Sequence, residues 1–308
     1  MIELERVTKR YGAMVAVDAV SLAIPTGAFC VLIGSSGAGK STTLRMINRL
    51  IAPSEGMIRI DGRDAASVKP EELRRRMGYV SQSIGLFPHW TVERNIGAVP
   101  ALLGWPAARI GDRVGELLSL LKLDPEAVRR RYPHQLSIGQ QQRIGIARAL
   151  AADPELLLMD EPFGALDPIT RDALQMEIAR IHAASRKTIV FVTHDMDEAL
   201  KLATGIAIMD RGRLVQVGTP LELLTAPVND FVRDFVGRED LGMRLLSVEK
   251  VALRLRRGET APGEPISEEA SLRQALSQMI ARGSDRIAVV DAAGRSSGVL
   301  HLADLVRR

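Results

Sequence analysis

A continuous apolar run, AFCVLI (28–33), passes directly into the glycine-rich stretch GSSGAGKST (34–42), which opens the helix-period segment TTLRMINRL (42–50). Six apolar residues without alternation predict a strand buried on both faces. Gly34, Gly37 and Gly39 let the backbone curl tightly, so that successive amides face inward toward anionic oxygens, and a helix starting near Lys40 adds its positive end. Gly-x4-Gly-Lys-Ser in strand, loop and helix context is the pattern of a phosphate-binding loop, with Ser35, Ser36 and Ala38 completing its backbone and Thr42 following it. Lys40 supplies a mobile charge for β- and γ-phosphates, and the Ser41 hydroxyl has the size and hardness that Mg²⁺ prefers.

Around this loop the chain alternates. Apolar runs of strand length stand at 57–60, 77–80, 156–159, 188–192 and 205–209, and helix-period segments at 110–123, 140–152, 170–185 and 196–203. That pattern predicts a layered α/β domain. At 308 residues the length suits two domains or one large domain with an appendage, and 46% hydrophobic with 25% charged residues excludes a disordered or fibrous chain. With 41 Lys and Arg against 37 Asp and Glu, the net charge of +4 gives no strong positive field, so a nucleic-acid partner is not expected. Cys30, the single cysteine, excludes an internal disulfide and a cysteine-based zinc cluster, and a reducing compartment fits. No run of 18 apolar residues occurs and MIELERVTKR carries charge where a signal peptide is apolar, so neither a membrane span nor export is expected.

The run LLLMDEP (156–162) ends a buried strand in two carboxylates. Asp160 can hold magnesium through water, while Glu161, on the other side of the chain, can take a proton from an attacking water. Gln82, ending MGYVSQ, can reach Mg²⁺ and the water or be a plain surface amide; His194, in VTHD, can hold a γ-phosphate or be a satisfied polar residue. In LSIGQQQR (136–143), the Ser137 hydroxyl and Gly139 amide at a helix start form an anion receptor, though the same residues also make an ordinary cap. Tyr11, in TKRYG, offers a flat face for adenine.

In this order (Tyr11, GSSGAGKS, Gln82, LSIGQ, LLLMDEP, GALD at 164–167 with Asp167, and His194) the motifs resemble the nucleotide-binding subunit of an ATP-binding cassette (ABC) transporter over about residues 1–237. The resemblance implies a P-loop NTPase fold with a RecA-like core, an antiparallel β subdomain and a helical subdomain, with ATP and Mg²⁺ as ligands. It also implies a head-to-tail homodimer in which each ATP lies between the phosphate loop of one copy and Ser137, Gly139 and Gln140 of the other. Permease subunits and, indirectly, an extracytoplasmic binding protein are the implied partners, at the cytoplasmic face of the inner (plasma) membrane. Ile138 stands where the family usually has glycine, and Gly164 where serine is common. A left-handed backbone at 138 would strain a β-branched residue, whereas plain helix there costs little; the second is expected.

MINRLI (46–51), LRRRMGYVSQSIGLFPHWTVERNI (73–96), RYPHQLS (131–137) and FVGREDLGMRLL (235–246) are similar to importers of osmoprotectants such as glycine betaine, choline, carnitine or proline betaine. An importer of another small solute, such as an amino acid, and a soluble ABC ATPase acting on nucleic acid or ribosomes stay open as alternatives. Leu86, Phe87, Pro88 and Trp90 form either a groove for a permease helix or simple core packing. Residues 238–265 read as a linker, with two prolines and two glycines in 251–269. Residues 266–308 resemble a single cystathionine-β-synthase-type (CBS) motif, a small βαββα-like unit with helices at 271–283 and 301–308 and strands at 286–290 and 296–300.

Overall fold

The computed structural model describes residues 1–164, 166–238 and 240–306, in two compact units, Met1–Val217 and Gly218–Arg308. Ala165 of the GALD run, Glu239, Arg307 and Arg308 lie outside the described residues.

The first unit is built on a six-stranded sheet of β3 (Phe29–Gly34), β6 (Met77–Val80), β7 (Leu156–Asp160), β8 (Thr188–Val192), β9 (Gly205–Asp210) and β10 (Arg213–Gly218), in spatial order β10-β9-β3-β8-β7-β6. From β9 through β6 the pairing is parallel. Every residue of β3, β7 and β8 is buried, which is why these strands read as unbroken apolar runs. Register aligns their carboxyl ends: Leu32 faces Val192, Val192 faces Asp160, and Met159 faces Val80. Ligands of open parallel sheets bind at that edge, and the segments carrying Lys40, Gln82, Glu161 and His194 all leave the sheet there.

An antiparallel sheet, β2-β1-β4-β5, comprises β1 (Ile2–Tyr11), β2 (Met14–Ile24), β4 (Glu55–Ile60) and β5 (Arg63–Asp64). The β1–β2 ladder shifts register three times between Leu4 and Arg10, and Arg6 and Ala19 take φ of 46° and 47°. These irregularities break the two-residue alternation that identifies a strand. Helices Lys40–Ile47, Ala107–Leu120, Ile138–Leu150, Pro168–Ser185 and Met196–Leu202 match the helix-period segments, several of them starting one to three residues early.

In the second unit, β11 (Ile266–Ser267), helix Leu272–Arg282, β12 (Arg286–Val290) and β13 (Ser296–His301) form a three-stranded sheet under one helix. Two expectations are corrected. The helix expected over 301–308 is a short 3₁₀ segment, Leu302–Leu305. The stretch expected as a linker is partly folded: Leu241–Val248 is helical, Val251 is fully buried in the tail's apolar cluster, and Arg256 bridges to Val299 through both backbone groups. A unit this small recruits preceding chain because its own strands cannot enclose a core.

Asp304, buried, accepts both Arg256 Nε and Nη2 at 2.8 Å. Because Arg256 is partly exposed, solvent trims the value of the pair, and Asp304→Ala is expected to destabilise the tail by about 1–2 kcal/mol. Chemical unfolding of the full chain, read through amide exchange in residues 250–300, checks this; unchanged exchange contradicts it.

Candidate active site

The phosphate loop is shaped by close backbone approach. A Cβ on Gly39 would stand 2.5 Å from the Ala16 carbonyl oxygen, and one on Gly34 would stand 2.0 Å from that of Met209. Only glycine fits at either position. Gly39, at φ 95°, is the N-cap of helix Lys40–Ile47, whose first-turn amides have no partner within the helix. Lys40 is buried, and its Nζ donates to the Gly34 and Ser35 carbonyls at 2.8 Å each. Burial lowers its pKa, opposed by the nearby charges of Glu161 and Asp160.

Asp160 ends β7 fully buried. Its Oδ1 accepts the Ser41 hydroxyl at 2.7 Å, while Oδ2, also buried, has no hydrogen-bond partner; Arg45 Nη2 is 3.8 Å from it. Burial raises the Asp160 pKa, against the Ser41 hydrogen bond and the Arg45 charge. A buried carboxylate with one orphaned oxygen beside a hydroxyl is a hard oxygen donor set that fits Mg²⁺. Among the described residues no group of three or more His, Cys, Asp or Glu gathers to hold a metal. That suits an ion held by one carboxylate, one hydroxyl, water and phosphate oxygens.

Glu161 takes a left-handed backbone, φ 45°, which separates its side chain from that of Asp160. Its amide donates to the Val192 carbonyl at 3.0 Å, carrying the β7–β8 ladder one residue further. Its carboxylate sits between two of the predicted partners: Gln82 Nε2 donates to Oε2 at 3.4 Å, and His194 Nδ1 is 3.2 Å from Oε1. Gln82, Glu161 and His194, from three different strand ends, therefore converge on one carboxylate.

The other predicted residues lie apart from this cluster in their contacts. Ser137 caps helix Ile138–Leu150 in a reciprocal box with Gln140, the amide of each meeting the other's side chain at 3.0 and 3.2 Å. Ile138 is the first helical residue, has no left-handed backbone and is 58% exposed, so the branched side chain is accommodated without strain. A Cβ on Gly139 would be 3.5 Å from Leu166, in the segment that leads to Asp167. Asp167 caps helix Pro168–Ser185 by accepting the Thr170 amide at 3.0 Å, and hydrogen bonding from the Thr170 side chain and then its amide holds the Asp167 carboxyl below the usual carboxylate range. Tyr11 stands exposed at the end of β1 with Lys9 Nζ 5.2 Å from the ring centroid. Ser35, Ser36 and Gly37 are exposed at the loop tip, Ala38 is buried, and Thr42 is half-buried.

Phe87 is 41% exposed, its ring 4.4 Å from that of Trp90, over which Arg94 lies. Buried Asn95 ties the loop from below, accepting the Phe87 amide and donating to the Phe87, Trp90 and Thr91 carbonyls. The segment is a prebuilt surface feature, not core.

Sequence reasoning missed three contributors. Arg45 lies one helical turn after Ser41, a spacing that puts both on one face and could have revealed it. Gln142, buried, donates to the Pro162 carbonyl just beyond Glu161, and nothing in its spacing announces that. Glu198, buried, accepts Thr193 Oγ1 at 2.6 Å and Gln175 Nε2 at 3.1 Å, steadying the residue before His194.

Because the Asp160 carboxyl is raised, the folded chain without metal holds a proton that the unfolded chain has released. Its stability therefore falls as pH rises from the ordinary carboxylate value through the raised one. Asp160→Asn removes that charge and is expected to raise the metal-free Tm by ~2–4 °C while abolishing the gain in ATP affinity on adding Mg²⁺. Thermal unfolding and nucleotide titration check both; a lowered Tm contradicts the orphaned-charge account.

Comparison with known proteins gives the family. Residues 17–164 match the ABC transporter family model and residues 264–308 the CBS domain model. The glycine betaine uptake system ATP-binding protein YehX of Escherichia coli is 57% identical over 306 residues, covering 99% of each chain. The glycine betaine/carnitine/choline transport ATP-binding protein OpuCA of Bacillus subtilis is 51% identical over 94% of this chain and 76% of that one. A dimeric bacterial ABC transporter cassette of known structure superposes with a TM-score of 0.66 at 35% identity, covering 71% of this chain and 98% of the cassette, and the same cassette has been solved in a post-hydrolysis state with ADP and Pi. The chain belongs to the ATP-binding subunits of ABC transporters, ATPases of the cassette type, and carries a C-terminal CBS domain.

Proposed function

We propose that the chain is the ATP-hydrolysing subunit of an importer that takes up osmoprotectants of the quaternary-amine class, glycine betaine, choline, carnitine or proline betaine. The observation that carries the catalytic reading is the meeting of Gln82 and His194 on the Glu161 carboxylate, beside the Ser41–Asp160 pair. The cargo reading is supported by relatives whose similarity includes the tail, since the 57% match spans 99% of both chains.

In the proposed mechanism the loop 34–39 and the first turn of helix Lys40–Ile47 bind the triphosphate, and Lys40 leaves its own loop carbonyls for the β- and γ-phosphates. Ser41 and Asp160 would hold Mg²⁺, which supplies charge neutralisation between the phosphates. Glu161, whose carboxylate meets Gln82 and His194, accepts a proton from water at a carboxylate oxygen; His194 steadies the γ-phosphate and Gln82 orients the water. Ser137, Gly139 and Gln140 serve the nucleotide of a second copy, in keeping with their separate cap geometry and with the dimeric cassette of similar fold. Tyr11 stacks on adenine. The exposed Phe87–Trp90 surface meets a permease subunit at the cytoplasmic membrane face, with the binding protein outside; no helix among the described residues is long and apolar enough to cross a membrane itself.

Glu161→Gln is expected to retain ATP binding within ~twofold and to lose turnover by ~100-fold or more, whereas Lys40→Ala weakens binding itself by ~tenfold or more. Nucleotide titration and phosphate release on the full chain separate the two. Normal turnover by Glu161→Gln contradicts the assignment of the base. Uptake of radiolabelled glycine betaine by vesicles holding the chain with its permeases tests the cargo.

A further inference from the structure

Gln82 is presented to Glu161 by a turn that should not hold itself. The Ile84 amide donates to the Ser81 carbonyl at 3.2 Å, and Ile84 and Gly85 both take left-handed backbones, φ 57° and 62°. That conformation is unremarkable for Gly85 but unfavourable for a β-branched residue, so something outside the turn must impose it at Ile84. The contact it serves is no anchor either: an amide-to-carboxylate distance of 3.4 Å is at the long limit of a hydrogen bond, and Gln82 and Ser83 are exposed.

The imposing group is Arg148, on the last turn of helix Ile138–Leu150. Its Nη1 donates to the Gly85 carbonyl at 2.7 Å and its Nη2 to the Ile84 carbonyl at 3.1 Å. Among the described residues no carboxylate lies within ion-pair distance of it, and burial pushes the guanidinium below its usual pKa. A half-buried cation compensated by two carbonyls gives up both if the turn relaxes, which is costly for a partly desolvated guanidinium. Three residues earlier on the same helix, a Cβ on Gly145 would be in ordinary contact with Ile84, 3.6 Å from its carbonyl oxygen, so the turn lies directly against this helix.

We infer that Arg148 is a positioning residue for the reaction: by clamping the Ile84 and Gly85 carbonyls it holds a strained turn that keeps Gln82 at Glu161. The helix that begins with the Ser137 cap thereby ends on the loop that serves the hydrolytic carboxylate. The inference rests on the reading of Glu161 and Gln82 above.

The test uses the full chain and three readouts: amide exchange of residues 82–86, ATP affinity and turnover. Arg148→Met is expected to raise exchange in 82–86 by ~tenfold and lower turnover by ~tenfold, with ATP affinity within ~twofold of the parent. Adding Ile84→Gly, which accepts φ 57° without strain, is expected to recover most of the lost turnover. Arg148→Lys, able to serve one carbonyl at a time, is expected to fall between parent and Arg148→Met, and it replaces Arg148→Met should that variant not fold. Parent-like exchange and turnover in the folded Arg148 variants, or no recovery with Ile84→Gly, overturns the inference. Glu161→Gln run alongside separates the two readings: if it keeps its turnover, the assignment of the base fails while the exchange result for Arg148 stands on its own.

Discussion

The structure depends on placing a carboxylate in the buried interior with one oxygen left without a hydrogen bond. Asp160 is held at the end of a fully buried strand, satisfied on one oxygen by Ser41 and orphaned on the other. Such a group costs stability in the free chain, a cost that a divalent cation with phosphate oxygens would offset under the proposed function. Its position follows from register: β7 runs parallel to β8 and β8 to β3, so the strand carrying Asp160 ends level with the strand that feeds the glycine loop. The residues proposed for hydrolysis are one step further out along the same edge, and Glu161, next to Asp160, takes a left-handed backbone.

Much of the sheet, and the position of the candidate site at its edge, was readable from the sequence. Strands buried on both faces are uniformly apolar, so 28–33, 156–159 and 188–192 announced themselves, and the residues that follow them had to lie at one edge. The loop was readable because glycine is required where a Cβ would strike the Ala16 or Met209 carbonyl. Ser137 was read correctly as a helix start, and the helical backbone at Ile138 settles how a branched residue is tolerated there.

What was not legible depends on tertiary partners. The first two strands are bulged at Arg6 and Ala19, so their apolar positions do not alternate. The stretch 241–256 has the charge and glycine of a linker, yet Val251 and the Arg256 backbone are claimed by the tail's sheet, which no local pattern reveals. Arg148 looks like one more helix-surface arginine; only the fold shows that its guanidinium ends on two carbonyls of a loop more than sixty residues away. The same holds for Gln142 and Glu198, polar residues whose buried partners lie on other elements.

The central claim is that residues 34–41 with Asp160 grip the phosphates of a magnesium nucleotide. Equilibrium titration of the purified full chain with ATP and with AMP, each with and without Mg²⁺, tests it most directly. The account predicts that ATP binds at least ~100-fold more tightly than AMP and that Mg²⁺ strengthens only ATP. Equal affinity for the two nucleotides, or binding of ATP indifferent to Mg²⁺, would contradict it.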